Sequence, residues 1–444
     1  MNKIPNKTNH IYDLVGVGIG PSNLSTASLL SEVDQISARF FEMNKEFNWH
    51  PGMLFPEATL QVSYLKDLVT LVDPTNPLSF LNFLSTNKRL YRFLTAGFSK
   101  IKRREFNQYL RWVCDSLDSL EFNSKVEDIQ YNGDLFTIHT NRKTVFSKNL
   151  VMATGLTPKV PDCIKPFQCS QVFHAIHYLK QNVQTKGKRI AVIGGGQSGA
   201  EIAYKLLSKQ EDAPSKLTWI SSRPNFDPID DSPFANEYYT PNYCDYFYTL
   251  STDSKNKLNR DQTLSSDGIN MCLLEDLYRL IYELDFIEDK KLHVELLPDS
   301  RLTEVIPVGN AFNLVGEKQL NKHLFTTEVD IVILATGFEY RNPVFLNSIR
   351  HLINYENGQF RINPDYSIEW EHQNSNKIYI QNGSRHVRGV ADPNLSLIAW
   401  RSAKIINSIC KETIYDIEDK FPVFDWHGSQ LDVEKVTNSI AFDS

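Results

Sequence analysis

Two glycine-rich turns constrain this chain of 444 residues more than any other feature. The first is "GVGIGPSNLS" at residues 16–25, and the second is "VIGGGQSGAE" at residues 192–201. Around the first, "IYDLVGVGIG" reads as a buried parallel strand, "PSNLSTASLLSEV" as a helix and "ARFFE" as a second strand. A glycine turn between strand and helix lets the backbone approach a pyrophosphate, and the helix N-terminus favours its charge. Gly16 and Gly18 keep the tight bend and Gly20 follows. Pro21 takes the place of the third fingerprint glycine, where it suits the first turn of a helix. Glu42 closes the second strand 24 residues after Gly18, where an acid can bind a ribose 2′-hydroxyl. This half suits FAD or NAD.

The second turn has the full spacing, with Gly194, Gly196 and Gly199 around Gln197 and Ser198. Its next strand, "KLTWISSR", ends without an acid. Ser221, Ser222 and Arg223 stand at the ribose position, and hydroxyls with a guanidinium fit a 2′-phosphate. The spacing therefore points to FAD at the first turn and NADPH at the second. Two "ATG" stretches, at 153–155 and 335–337, end strands where flavoprotein chains cross between nucleotide domains. The expected fold is α/β with two Rossmann-like dinucleotide-binding domains, the second inserted in the first. Residues 1–180 and 335–444 would form the FAD domain. Residues 181–334 would form the NADPH domain, including a small, mainly helical substrate segment at 224–285.

A net charge of -6 gives no reason to expect nucleic acid or an anionic membrane as a partner. The six cysteines lack CxxC spacing and read as free thiols of a reducing compartment. The start, "MNKIPNKTNH", has no apolar signal region, and no run approaches the roughly 18 apolar residues of a membrane helix. A cytoplasmic protein is expected. Asp230 and Asp231 lack the His or Cys companions of a metal site, so no metal is expected.

Several longer stretches are more specific: "FNWHPGM", "LQVSYLKDLVTLVDPTNPLSFLNFL", "YRFLTAGFSKIKRREFNQYLRW", "DDSPFANEYYTP" and "GVADPNLSLIAWRSAKI". With the two turns, they make the chain resemble the microbial flavin-dependent N-hydroxylating monooxygenases, the lysine and ornithine N-hydroxylases of siderophore biosynthesis. The likeness runs almost end to end and is nearer the lysine-type branch. It implies that NADPH reduces FAD, that reduced flavin holds oxygen as a 4a-hydroperoxide, and that a free primary amine attacks it to give a hydroxylamine. The partners implied are the amine and molecular oxygen, in a homo-oligomer, tetramer or dimer.

The resemblance also implies residue roles. Gln61 would sit beside the flavin and, with Asn236, serve the chemistry. Lys66 would bind a substrate carboxylate, Asn236 would bridge substrate and nicotinamide, and Ser265 and Ser396 would touch substrate. Trp49, His50, Asn394, Leu395 and Ser396 would line FAD, and Thr336 and Gly337 would lie at the crossing. Plain alternatives stand beside these: Gln61 satisfying buried backbone, Lys66 on a helix surface, Asn236 in a turn or cap, Ser396 as an N-cap and Trp49 in the core. Ornithine-type enzymes carry an asparagine where "LSSDGINMCLL" aligns Ser265, and Asn270 falls at the wrong spacing. "RHVRG", at 385–389, reads as a basic loop near the site or at a subunit contact. The amine stays open among lysine, ornithine, a diamine and a histamine-type amine lacking a carboxylate. A Baeyer-Villiger or sulfur-oxidising enzyme would carry an FxGxxxHxxxW linker, and "FQCSQVFHAIHYL" has neither its Gly nor its Trp. A non-catalytic flavin redox sensor is the remaining alternative.

Overall fold

The apolar run ahead of the first glycine turn forms the strand Ile11–Val17 in the interior of a seven-stranded sheet. The computed structural model describes residues 10–209, 211–289 and 292–428. Ile11–Val17 pairs in parallel with Ala38–Phe41 on one side and Thr144–Met152 on the other. Leu14 faces a core shared with the helix Pro21–Leu30, and Val15 and Val17 face a second core with Phe345 and Trp370. A strand covered on both faces needs such a continuous apolar run. The late strand Ile378–Ile380 also pairs with Thr144–Met152, so this sheet closes only with chain from far downstream.

The second sheet has five parallel strands in the order His293–Leu297, Lys216–Ile220, Arg189–Ile193, Ile331–Leu334 and Val172–His174. Its last strand lies before residue 180, in chain expected to belong to the FAD domain. A three-stranded antiparallel sheet, Ser300–Val308, Ala311–Lys318 and Leu324–Val329, packs beside it; the sequence reading did not separate it.

The two glycine turns are built alike. Gly18 has φ +87°, and a Cβ there would stand 2.5 Å from the carbonyl oxygen of Ala153. Gly194 has φ +132°, and its Cβ would stand 2.0 Å from the carbonyl oxygen of Ala335. Each "ATG" stretch thus backs directly onto one glycine turn, leaving no space for a side chain. Beyond these turns the chain crosses between sheets twice, and the crossings are tied together. Thr157–Pro158 pairs with Phe338–Glu339, Lys159 N donates to Gly337 O at 3.0 Å, and the Thr336 hydroxyl donates to Lys159 O.

The inserted segment is helical: Ala235–Tyr239, Pro241–Thr249, Thr252–Asp261, Thr263–Asp267 and Met271–Phe286. The last of these was expected inside the substrate segment 224–285. It instead sends Leu277, Leu273 and Leu274 into the core of the second sheet. It is the crossover helix that parallel strands 216–220 and 293–297 require. "RHVRG" is also not a loop. It forms the short helix Arg385–Arg388, with Arg388 fully buried between the rings of Tyr248 and Tyr366 at 4.3 and 4.6 Å. Its guanidinium meets Asp245 at 2.9 Å, and Lys404 reaches the same carboxylate at 2.7 Å. The inserted helix Pro241–Thr249 is thereby fixed to the C-terminal part of the first unit.

Candidate active site

A cleft of about 740 Å³ runs along the first glycine turn. Gly18, Gly20, Pro21, Glu42, Trp49 and His50 line it. Gly16 stands behind it, packed on Phe40. A Cβ at Gly20 would meet nothing within 4 Å, so that position opens into the cleft. The Glu42 carboxylate accepts the backbone N–H of Ile19 at 3.0 Å and of Asn44 at 2.9 Å. The acid is therefore fixed at the end of Ala38–Phe41, against the first glycine turn. These features fit the adenosine diphosphate part of FAD.

The cleft leads into a smaller chamber of about 260 Å³. Here the structure brings together Trp49, His50, Gln61, Gln197, Ser198, Asn394 and Leu395, from four separate stretches of chain. Gln61 Nε2 is buried without a hydrogen-bond partner. A buried amide donor without a protein partner is costly, and it fits a ligand that accepts there. Burial holds His50 down to about 4, helped by Arg103, and burial holds His174 down to about 4 as well. Both imidazoles are neutral at pH 7. His174 Nε2 lies 3.1 Å from Gly337 O, and its Nδ1 accepts from Ile176 N at 3.3 Å, which fixes the tautomer with the proton on Nε2. The Trp49 ring packs edge-on against Phe106 at 5.7 Å.

Lys66 lies in a turn, not on a helix. Its Nζ donates to Ser396 Oγ at 3.2 Å and sits 5.9 Å from the ring centroid of Tyr239. Tyr239 is buried; its hydroxyl donates to Ser265 O at 2.7 Å and lies 3.2 Å from Ser265 Oγ. Lys66, Ser396 and Ser265 therefore converge around Tyr239, a residue the sequence reading passed over. Ser396 is not the cap of its turn, because Asn394 Oδ1 accepts from both Ser396 N and Ser396 Oγ at 2.8 Å. Asn270 caps Met271–Phe286 through Cys272 N at 3.1 Å. Asn236 is not drawn into the cluster. It is exposed, and its Nδ2 donates to Asp231 O and Ser232 O at 2.9 and 3.1 Å.

At the second turn, Gly199 packs under Gly194, whose carbonyl accepts from Trp219 Nε1 at 2.9 Å, and a Cβ at Gly196 would meet only Asp267 O at 3.4 Å. Arg223 and Ser222 follow the adjacent strand. Arg223 is half-buried and spends one guanidinium N–H on Asp267 O at 2.9 Å, while Ser222 O accepts from Gln319. Asp231 pairs with Lys100 at 3.1 Å and Asp230 accepts from Ser232 N. Among the described residues no group of three or more acidic, His or Cys side chains could hold a metal.

Residues 10–340 match the family described as L-lysine 6-monooxygenase/L-ornithine 5-monooxygenase. The chain belongs to this family. It is 36% identical to the L-lysine N6-monooxygenase of Escherichia coli over 93% of this chain and 98% of the relative. It is 35% identical to the putrescine N-hydroxylase of Acinetobacter baumannii, over 93% and 92%. The desferrioxamine-pathway cadaverine monooxygenase of Erwinia amylovora, solved with FAD, superposes with a TM-score of 0.88 at 31% identity, covering 94% of this chain and 98% of the other. The protein is thus a FAD- and NADPH-dependent N-hydroxylating monooxygenase, and the alternatives of ketone or sulfur oxidation and of a non-catalytic sensor fall away.

Three features of the monooxygenase were not singled out from sequence. Asn382, in the left-handed region at φ +59°, lines the larger cleft with an unpartnered buried Oδ1. Phe338 borders both cleft and chamber. Arg103 and Glu201 form an ion pair at the chamber wall. Arg103 and Glu201 lie inside stretches that carry the family likeness, but nothing local marks them as partners.

Proposed function

We propose that the amine is an amino acid bearing a carboxylate, lysine- or ornithine-like, hydroxylated on its side-chain nitrogen for siderophore biosynthesis. The observation that carries this reading is Lys66. It is largely buried, its partners are a hydroxyl and an aromatic ring, and no carboxylate is among them. A cation so placed gains most from an incoming anion. Ser396 Oγ, already on Nζ, can donate to the second carboxylate oxygen once its proton turns from Asn394 Oδ1.

FAD, when bound and reduced by NADPH, supplies activated dioxygen. The chain's own groups do the rest. Gln61 Nε2 offers a hydrogen bond at the chamber wall. The substrate ammonium, with an ordinary pKa near 10.4, must shed a proton before its nitrogen is nucleophilic. His174 has both ring nitrogens engaged, and burial of the amine favours its neutral form. Ser265, Tyr239 and Ser396 wall the amine pocket. Asn236 would bridge substrate and nicotinamide after its turn releases the amide from Asp231 and Ser232. The first sheet's unit would hold FAD and the second sheet's unit NADPH, with Ser222 and Arg223 at the 2′-phosphate and Thr336 and Gly337 at the crossing.

A second reading, a diamine or histamine-type amine without a carboxylate, draws on the same contacts: Lys66 already has a neutral partner in Ser396. Two of the relatives named above act on such diamines. Hydroxylamine formation from L-lysine and L-ornithine against cadaverine, putrescine and histamine separates the two. Higher kcat/KM for the amino acids supports the first reading, and higher values for the decarboxylated amines support the second.

Among the described residues no helix is long and apolar enough to cross a membrane. Six free thiols and a need for NADPH support a cytoplasmic location. The exposed stripe Tyr278, Tyr282 and Phe286, at four-residue spacing on one helix, supports a homo-oligomer, a dimer or tetramer, assembled there. Light scattering of a Phe286→Glu variant tests it: a smaller particle supports the stripe as the contact, and an unchanged particle argues against it.

A further inference from the structure

Arg103 belongs to the helix Arg103–Asp115 of the first unit, and Glu201 to the helix Gln197–Leu207 that follows the NADPH-binding turn. Their side chains are only 15% and 7% exposed, and they meet in an ion pair at the chamber wall. The remaining contacts of each run in opposite directions. Arg103 Nε donates to Thr59 O at 3.2 Å and Nη1 to Met53 O at 3.4 Å, so it grips the loop that leads to Gln61. Glu201 Oε1 accepts from Gln197 Nε2 at 2.8 Å, and Gln197 Oε1 accepts from Asn270 N at 2.8 Å. One carboxylate therefore joins the flavin-side loop, the NADPH turn and the N-terminus of the helix Met271–Phe286. Its second oxygen, Oε2, is buried without a partner.

We propose that Glu201 is a positioning residue for hydride delivery, holding the Gln61 loop and the Gln197–Ser198 turn in register across the two nucleotide-binding units. A buried pair is weak evidence for net stability, because desolvation offsets much of the attraction, but it fixes geometry where two elements meet. Hydride transfer is sensitive to such register, since a misplacement of about 1 Å can cost on the order of 100-fold in rate. The pair acts where nicotinamide and flavin approach, and neither charge is used in proton transfer. The inference rests on the assignment of the two turns to FAD and NADPH.

Glu201→Gln keeps size and hydrogen-bonding capacity and removes the charge. In the FAD-loaded enzyme it should slow anaerobic flavin reduction by NADPH roughly tenfold. It should slow the reaction of dithionite-reduced enzyme with oxygen and amine far less, since that half-reaction uses the Gln61 loop but not its register with the Gln197–Ser198 turn. Hydrogen exchange in the same holoenzyme should rise together at residues 54–61 and 196–201. The double variant Arg103→Gln, Glu201→Gln removes the uncompensated charge and should recover thermal stability while hydride transfer stays slow. Wild-type reduction in Glu201→Gln, recovery of reduction in the double variant, or equal slowing of both half-reactions with unchanged exchange would overturn the proposal. Failure of NADPH to reduce the unmodified enzyme would instead sink the nucleotide assignment itself, and the latch with it.

Discussion

Lys66 Nζ lies 3.2 Å from Ser396 Oγ, although the two residues are 330 positions apart in the chain. This contact brings the turn after Gln61 against the loop that carries Asn394 and Leu395, beside the chamber that those three residues line. Lys66→Ala removes the cation that meets Ser396. KM for a carboxylate-bearing amine should rise roughly ten- to a hundredfold, the worth of a charged hydrogen bond. Flavin reduction by NADPH should stay near wild type. Steady-state kinetics with stopped-flow reduction measures both, and an equal loss in the two would remove Lys66 from the substrate site.

Burial lowers the pKa of Lys66 below the usual lysine value. The ammonium that attracts the carboxylate is present below that lowered pKa and is lost as pH rises through it. KM should therefore climb on the alkaline side earlier than an ordinary lysine would allow. Lys66→Arg keeps its charge throughout this range and should flatten the climb. The same alkaline rise in both enzymes would assign it to another group.

Gln61→Leu should leave NADPH oxidation running while product yield falls, because the unpartnered Nε2 donor at the chamber wall is gone. The ratio of hydroxylamine to hydrogen peroxide should drop roughly tenfold, equivalent to about 1.4 kcal/mol. Parallel assays of N–OH product and peroxide give the ratio. An unchanged value would make Gln61 structural.

Arg223→Ala should lower kcat/KM for NADPH roughly ten- to a hundredfold and leave that for NADH almost unaltered, since only the former has a 2′-phosphate to lose its charged partner. The half-buried guanidinium, with one N–H on Asp267 O, can turn toward such a ligand. A constant NADPH/NADH ratio would exclude it.

Much of this architecture was legible because its signals are local. Gly18 and Gly194 declare themselves through spacing, and the "ATG" stretches through the strands they end, although that Ala153 and Ala335 back onto those glycines is visible only in three dimensions. The strand Ile378–Ile380 and the antiparallel sheet of 300–329 depend on partners that no sequence period reveals. Met271–Phe286 fell within the expected substrate segment because no local signal shows which core Leu273, Leu274 and Leu277 enter. Arg388 was read with a basic loop near the site or at a subunit contact, since a basic cluster carries no mark of the Asp245 carboxylate and the two tyrosine rings that accept it in the interior. The position of Asn236 could be matched to a family motif, but the two backbone carbonyls that hold its amide belong to its own turn.

Selectivity for the carboxylate is most directly measured as the ratio of kcat/KM for L-lysine to that for cadaverine, scored by hydroxylamine formed, in the wild type and in Lys66→Ala. Carboxylate recognition by Lys66 predicts a ratio well above one that collapses in the variant. A ratio at or below one in the wild type, or one that survives the loss of Lys66, would contradict it.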